Sequence, residues 1–263
     1  MMRSTSILIL RIRKLLIVVT RLRLLIALVR TGVLAASEHR PLLARPWRTV
    51  IDVGANRGQF TLAALELTNA KIIAFEPLAE PAEVFRAATV NEGRVRLVCS
   101  AIGQYAGQSE MHVSKSDDSS SLLAIGAEQS RLFPGTETTR RETVTIQTLD
   151  ASTAESEIQA PALLKLDVQG YEYEALLGCS SLLHAFDSVY CECSFIELYV
   201  GQKLAPDVIS LLAAHSFVVA GIYNASYDEN GCCIQADILF DRTSEAQQTK
   251  RITQQEAPNS CGS

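Results

Sequence analysis

The sequence predicts an α/β protein whose sheet is mostly parallel and ends in an antiparallel hairpin. Past Pro46, short β-rich runs alternate with helical patterns, which is typical of parallel strands joined by helices. The first strand runs into a glycine-rich turn that opens directly into a helix. The last two strands are separated only by a turn-rich segment, 224–231, and are therefore expected to pair antiparallel.

The central strands and helices follow in a regular order. Each strand is a short apolar or β-branched run, and each helix is a longer pattern that begins after a turn. The predicted parallel strands are 47–53, 71–75, 95–99, 162–168 and 187–193, and the predicted helices are 58–67, 79–89, 171–177 and 205–215.

Four further strands are predicted. Two flank a long polar stretch, and two form a hairpin at the end of the sheet. Residues 108–113 and 143–149 alternate in polarity, as half-buried strands do. The Ser-, Thr- and Asp-rich stretch 114–141 between them is predicted as the longest loop and as a lid that faces the substrate. Residues 217–223 and 234–240 form the predicted hairpin.

The chain divides into three predicted parts. Residues 46–240 contain the alternating elements and form the folded domain. Residues 241–263 are polar and patternless and are expected to be disordered. Residues 1–45 form a basic, amphipathic, helical arm with nine Lys or Arg residues and one acid.

The arm has three interpretations. Its charges interrupt every apolar run before it reaches the roughly 18–20 residues that cross a bilayer. An apolar stripe with scattered arginines is typical of a helix that lies on an anionic membrane surface. The alternatives are a helix that packs on the domain or on a second copy, and an acid-poor targeting peptide.

The composition of residues 46–263 limits the partners and the compartment. These residues have 15 basic and 28 acidic side chains, and an acidic body does not favour nucleic acid, whose phosphates attract the opposite charge. None of the seven cysteines has zinc-ligand spacing, so no metal site is predicted. We expect reduced, structural thiols in a cytoplasmic protein, peripheral at the inner membrane face if the arm binds lipid.

The glycine-rich turn is the most informative passage. It reads V-I-D-V-G-A-N-R-G, and Gly54 and Gly58 allow a tight turn and the close approach of a ligand. Asn56 is one of the few residue types that tolerates a left-handed backbone. Eighteen residues beyond Gly58, Glu76 ends the second strand, where a carboxylate can accept both hydroxyls of a ribose.

The charge at this turn selects among nucleotide cofactors. A dinucleotide requires G-x-G-x-x-G, with its pyrophosphate on the amides of the helix start. Here the spacing is D-x-G-x-N-x-G, and Asp52 would repel a pyrophosphate. S-adenosylmethionine has an ammonium group, a sulfonium and a ribose diol but no phosphate, so the charges favour it.

A second charged cluster follows the fourth parallel strand in L-K-L-D-V-Q-G-Y-E. Lys165 and Asp167 share one face of this strand, beside the glycine turn. Glu192, at the end of the fifth strand, belongs to the same rim. Asp237 lies within an apolar strand, where we expect it to accept hydrogen bonds because an unpaired charge is costly there.

These motifs together resemble the FkbM family of methyltransferases. The likeness spans about residues 47–240 and rests on VIDVGANRGQF, IIAFEP, Ala101-Ile102-Gly103, the serines at 119–121, LKLDVQGYE and ADILF. It implies the Rossmann-like seven-stranded methyltransferase fold with a reversed terminal hairpin. It also implies that Asp52, Gly54, Asn56 and Gly58 cradle the methionine part, that Glu76 holds the ribose, and that Ala101 and Ile102 lie near the adenine. Gln169 stands where the family usually has glutamate.

The resemblance implies methylation of a hydroxyl on a sugar, glycan or other small metabolite. A carboxylate that takes the hydroxyl proton would contribute roughly 10²–10⁴-fold to the rate. Asp167 is the first candidate for this base and Glu192 the second, with Lys165 in the same cluster. The alternatives are a nicotinamide-dependent oxidoreductase, and a non-catalytic cofactor-binding or membrane-associated scaffold.

Overall fold

The computed structural model describes residues 21–243, which fold around a seven-stranded sheet. The strands of the chain are β1 Thr49–Val53, β2 Lys71–Phe75, β3 Val95–Val98, β4 Ala101–Ile102, β5 Gly107–Ser114, β6 Thr138–Gln147, β7 Ala162–Leu166, β8 Ser188–Ser194, β9 Phe217–Tyr227 and β10 Cys233–Arg242. The main sheet has the order β3-β2-β1-β7-β8-β10-β9, and a smaller sheet has the order β4-β6-β5.

The main sheet is parallel except at one edge. β3, β2, β1, β7 and β8 pair in parallel, whereas β10 runs antiparallel to both β8 and β9. The mostly parallel sheet with a reversed C-terminal hairpin, as predicted from the sequence, is therefore confirmed. β1 lies inside the sheet between β2 and β7, and all five residues of this strand are buried.

Helices cover the sheet where the apolar patterns place them. They are α1 Leu22–Thr31, α2 Arg40–Leu43, α3 Gln59–Leu67, α4 Ala79–Ala88, α5 Ala127–Leu132, α6 Leu149–Ser152, α7 Glu172–Leu177 and α8 Ala205–Ala214. The four predicted helices match α3, α4, α7 and α8, each to within one residue at its ends. Two hydrophobic clusters, which meet the sheet through residues such as Ile51 and Val50, form most of the core.

Several predicted boundaries are wrong. The strand predicted at 143–149 is Thr138–Gln147, and the strand predicted at 217–223 continues to Tyr227. The stretch 114–141 is not one loop, since it contains α5 and the first residues of β6. β10 continues past residue 240 because the Asp241 carboxylate accepts hydrogen bonds from Ser188 and Arg45, both at 2.6 Å. The predicted tail beyond residue 243 lies outside the described residues.

The described part of the arm packs on the domain. Leu24 and Ala27 of α1 are 3% and 1% exposed and belong to one of the core clusters, where α1 contacts α3 and α4. Arg23 forms an ion pair with Glu92 at 2.7 Å. Val29 faces outward and is 78% exposed. The first twenty residues of the arm lie outside the described range, and between residues 21 and 243 no helix is long and apolar enough to span a bilayer.

Candidate active site

A cavity opens at the carboxyl ends of β1, β2 and β7. The chain leaves β1 toward β2 on one side and returns to β7 on the other, and this change of direction creates a crevice in open α/β sheets. The predicted site residues that line the cavity are Gly54, Asn56, Glu76, Ala101, Ile102, Lys165 and Asp167, whereas Asp52, Gly58 and Glu192 do not line it.

The glycine turn lies directly against the backbone that follows β7. Gly54 has φ +77°, and a Cβ at this position would lie 1.8 Å from the carbonyl oxygen of Asp167. Gly58, which precedes α3, has φ +96°, and its Cβ would lie 3.0 Å from the ring of Phe85. Asn56 has φ +47°. The two glycines and Asn56 therefore shape the turn as predicted, although Gly58 does so from outside the cavity.

The Glu76 carboxylate is fixed at the end of β2 by backbone amides. The N–H of Asn56 donates to Oε2 at 2.8 Å, and the N–H of Leu78 donates to Oε1 at 2.8 Å. The residue is buried yet lines the cavity. The turn conformation of Asn56 and the orientation of Glu76 thus depend on each other.

Asp52 is not where the sequence interpretation placed it. Its side chain is 0% exposed: Oδ2 accepts a hydrogen bond from Thr61 at 2.8 Å, and Oδ1 lies 3.1 Å from Lys165 Nζ. Asp52 is on β1 and Lys165 lies beside it on β7, so the two side chains share one face of the sheet. The prediction that Asp52 contacts the ligand directly is therefore corrected. Asp52 can act on a ligand only indirectly, through its ion pair with Lys165.

Lys165 is a cation at the wall of the cavity. Its ammonium donates to the carbonyl of Gly54 at 3.0 Å and lies 3.8 Å from Asp167. Burial alone would lower the pKa of Lys165, but the carboxylates of Asp52 and Asp167 outweigh it and raise the pKa to about 12. Lys165 stays protonated at neutral pH and is not a general base.

The two predicted bases are joined by Gln169. Its amide Nε2 donates to Asp167 at 2.8 Å and to Glu192 at 2.9 Å, while its Oε1 accepts from the Tyr199 hydroxyl at 2.6 Å. Glu192 also accepts from Gln235 at 2.9 Å. Of the two carboxylates only Asp167 reaches the cavity, so the alternative assignment to Glu192 loses its geometric support.

Asp167, Glu172 and Glu192 form a compact acidic cluster. One carboxylate oxygen of each lies within 4.8 Å of the others. Burial raises the pKa of Glu172 to about 7, and burial followed by the charges of Asp167 and Glu172 raises the pKa of Glu192 well above its usual range. Carboxylate oxygens are ligands that suit Mg²⁺, so these three residues could hold a metal ion. The sequence-based prediction that the protein has no metal site is not tested by this arrangement and stays a prediction.

Apolar side chains form part of the cavity wall. Ala101 and Ile102, on β4, are buried and line the cavity, together with Leu122, Met111 and Tyr171. Such a wall suits the flat face of a nucleobase. That Ala101 and Ile102 lie near the adenine stays a prediction.

His39 is a cavity residue that sequence reasoning missed. Its ring packs edge-on against Phe60 and Tyr190, and Nδ1 lies 3.0 Å from the Tyr190 hydroxyl. That hydroxyl donates to Asp237 at 2.9 Å. Tyr190 follows His39 by 151 residues, so no local pattern joins them. The sequence feature that pointed toward this group was Asp237, an acid within an apolar strand that was expected to accept hydrogen bonds.

The cavity wall carries more negative than positive charge. Among residues 21–243, the charged side chains that line it are the carboxylates Glu38, Glu76, Asp118 and Asp167 and the ammonium of Lys165, without an arginine. A pyrophosphate is poorly matched to such a wall, whereas a cationic nucleoside is well matched.

The fold and this site define a Rossmann-like methyltransferase. The seven-stranded order with a reversed strand, the glycine turn after β1 and the acid after β2 are the features of this class. A family model, the methyltransferase FkbM domain, matches residues 52–219, and the chain therefore belongs to the FkbM methyltransferase family. It is an enzyme that depends on S-adenosylmethionine, and the predicted family, activity and cofactor are confirmed.

Several known proteins are similar to this chain in sequence or in fold. The 2-O-methyltransferase NoeI of Sinorhizobium fredii is 27% identical over 184 residues, which cover 67% of this chain and 76% of that protein. An rRNA methylase from Streptococcus thermophilus is 12% identical with a TM-score of 0.43, covering 78% of this chain and 94% of that one. Magnesium protoporphyrin IX methyltransferase from Synechocystis PCC 6803 is 11% identical with a TM-score of 0.39, covering 75% and 71%.

Proposed function

We propose that this enzyme methylates a hydroxyl group of a sugar, glycan or other small acceptor in the cavity at the carboxyl ends of β1, β2 and β7. The observation that carries the proposal is the acidic cavity wall beside the Gly54 turn, which suits a positively charged nucleoside. The 2-O-methyltransferase relative supports oxygen as the acceptor atom.

The residues at the wall fit S-adenosylmethionine. At Gly54 the turn lies so close to the end of β7 that there is no room for a side chain. Because glycine has no Cβ, a ligand can approach the backbone of this turn closely. The Glu76 carboxylate is oriented by the amides of Asn56 and Leu78, and a carboxylate in this position can accept hydrogen bonds from ribose hydroxyls. We assign the methionine part to the Gly54–Asn56 turn and the adenine to the wall formed by Ala101 and Ile102.

The chain contributes alignment and charge to the reaction. When bound, S-adenosylmethionine supplies an electrophilic methyl group on a positively charged sulfur. Glu76 and the glycine turn orient that donor, and the buried wall excludes water, which favours an in-line approach by the acceptor oxygen. Of the bases predicted from the sequence, Asp167 alone presents its carboxylate to the cavity. Lys165, held by Asp52, balances part of the negative charge.

Calorimetric titration tests the ligand assignment. We expect S-adenosylhomocysteine to bind and reduced nicotinamide dinucleotides not to bind. Glu76→Gln should weaken S-adenosylhomocysteine binding roughly 10- to 100-fold, since a hydrogen bond to a charged group contributes about 1.5–3 kcal/mol. The control is Glu80→Gln, on the exposed side of α4, which should bind as the wild type does. Binding of the dinucleotide alone would refute the proposal.

Label transfer tests the acceptor class. Purified enzyme and methyl-labelled S-adenosylmethionine are incubated with fractionated cell extracts. We expect label to appear in a small, hydroxyl-bearing molecule as a base-stable ether. Label found only in protein, RNA or a nitrogen atom would contradict O-methylation of a small acceptor, and slow turnover with every fraction would favour a non-catalytic scaffold.

We also propose that the protein is cytoplasmic and touches the inner membrane face through its arm. Ile26, Val29 and Arg30 of α1 are exposed, and the sequence that precedes them is rich in apolar and basic residues. An apolar and basic surface of this kind binds anionic lipid. The full-length protein should pellet with phosphatidylglycerol vesicles at low salt, and pelleting should weaken for Val29→Glu. Equal recovery in the supernatant with and without vesicles would refute it.

A further inference from the structure

The side chain of His39 ends a partly buried hydrogen-bonded chain that crosses two strands. Its Nδ1 lies 3.0 Å from the hydroxyl of Tyr190 on β8, and that hydroxyl donates to Oδ2 of Asp237 on β10 at 2.9 Å. Asn224 also donates to Oδ2, at 2.7 Å. Because the hydrogen of Tyr190 is directed to Asp237, the tyrosine oxygen is left to accept the hydrogen bond from His39.

This direction of donation fixes the tautomer of the imidazole. A hydrogen on Nδ1 leaves Nε2 with a free lone pair in the neutral ring. Nε2 has no protein partner among the described residues, and His39 lines the cavity beside Phe60 and Lys165. The packing of the ring against Phe60 and Tyr190 restricts its orientation.

We propose that His39 is the general base of the methyl transfer, with Tyr190 and Asp237 as the residues that orient it. The inference rests on the proposed O-methylation. As the acceptor oxygen forms its bond to the methyl carbon, its O–H bond breaks and the proton moves to Nε2. The electron pair of the carbon–sulfur bond stays on sulfur, which becomes a neutral thioether. The imidazolium, stabilised by Asp237, then returns its proton to solvent.

Asp167 is less suited to this step. Its carboxylate already accepts a hydrogen bond from Gln169 and lies 3.8 Å from the Lys165 ammonium. His39 faces Asp237 on β10, Tyr190 on β8, Lys165 and Asp167 from β7, and Glu38 next to it in the chain. Burial lowers the pKa of His39 below its usual value although Asp237 opposes this, so the ring is neutral at pH 7.

The first test needs no acceptor. Long-range ¹H–¹⁵N spectra of the ¹⁵N-histidine-labelled full-length protein with S-adenosylhomocysteine report the tautomer of each ring, and His39→Gln assigns the His39 signals. We expect a neutral ring with its hydrogen on Nδ1, and a loss of this preference in Tyr190→Phe. A hydrogen on Nε2, or a tautomer that Tyr190→Phe leaves unchanged, would overturn the inference.

The second test measures transfer to the extract fraction that accepts label. His39→Gln should lose roughly 100-fold or more in the rate of a single turnover and lose the rise in rate with pH, while S-adenosylhomocysteine affinity stays within about threefold. Tyr190→Phe should retain that rise with a smaller loss. The matched control is His215→Gln, which precedes β9 near the amino end of β8, away from the cavity, and should behave as the wild type does.

The outcomes separate this inference from the proposed function. If Asp167→Asn abolishes the pH dependence while His39→Gln preserves it, the base is Asp167 and the inference is wrong. If the wild type labels no hydroxyl-bearing molecule, the proposed O-methylation fails, and the tautomer measurement still decides whether His39 carries the free lone pair. Normal turnover by His39→Gln would overturn the inference directly.

Discussion

Replacement of Gly54 by alanine tests the contact on which the cavity depends. An alanine Cβ would lie 1.8 Å from the Asp167 carbonyl oxygen, so the turn and the β7 end must move apart by more than 1 Å to reach even a tight contact. The positive φ of +77° adds a second cost. We expect a left-handed alanine to cost roughly 1–2 kcal/mol and the forced displacement a further ~1–3 kcal/mol.

A matched glycine separates these two costs. Gly32 has φ +73°, and a Cβ there meets nothing within 4 Å. Gly32→Ala should therefore lose only the conformational part, whereas Gly54→Ala loses both. With a midpoint shift of about 2–4 °C for each kcal/mol in a protein of this size, the midpoint of thermal unfolding should fall several degrees further in Gly54→Ala. Calorimetry should also show at least about tenfold weaker binding of S-adenosylhomocysteine, because the turn is displaced.

Two results would refute this reasoning. Equal unfolding midpoints for Gly54→Ala and Gly32→Ala would mean that the turn does not lie against the Asp167 backbone. A destabilised Gly54→Ala protein that binds S-adenosylhomocysteine as the wild type does would mean that the turn is not part of the cofactor site. Gly135→Ala, with φ +94° and open space around it, provides a second control for the conformational cost.

Three further predictions concern buried charges and the arm. Lys165→Met leaves the fully buried Asp52 without its cation and should cost about 3–5 kcal/mol of unfolding free energy in urea. The double variant Asp52→Asn/Lys165→Met should lose clearly less than the sum of the two single variants. Burial raises the pKa of Glu172 from 4.5 to about 7, so the folded wild type binds the extra proton and loses stability as the pH rises through that window. The free energy of unfolding of Glu172→Gln, whose side chain does not titrate, should therefore rise by roughly 3 kcal/mol relative to that of the wild type as the pH is raised from 4.5 to 8. Leu24→Ala in α1 should cost about 2–5 kcal/mol, whereas Ile26→Ala, at a position 44% exposed, should cost much less.

Each of these predictions has a result that would contradict it. Additive losses in the double variant would show that Asp52 and Lys165 are not coupled. A pH-independent difference between Glu172→Gln and the wild type would show that the Glu172 carboxylate does not titrate within the window. Equal stability of the Leu24 and Ile26 variants would show that α1 is not part of the folded domain.

Much of the fold follows from local patterns. The strands at 71–75 and 162–166 are apolar runs of the length of one buried strand, and the glycine turn marks the junction between the first strand and its helix. The predicted helices match because each has its own apolar face and its own end signal. The strand ends were less predictable. β10 reaches Arg242 because Asp241 binds Ser188 and Arg45, and these partners are far away in the chain.

The sequence by itself predicted the class of ligand, which the family confirms, and the side of the sheet on which we propose that it binds. The acid, the glycines and Asn56 at the turn, with Glu76 at the end of the next strand, carry that information within 25 residues of the chain. Only the tertiary structure decided which carboxylates reach the cavity. Asp52 is buried under Thr61 and Lys165, Glu192 is held by two glutamine amides, and His39 enters from the arm. These outcomes depend on which strands are neighbours and which side chains share a face, and such long-range pairings leave no periodic trace in the sequence.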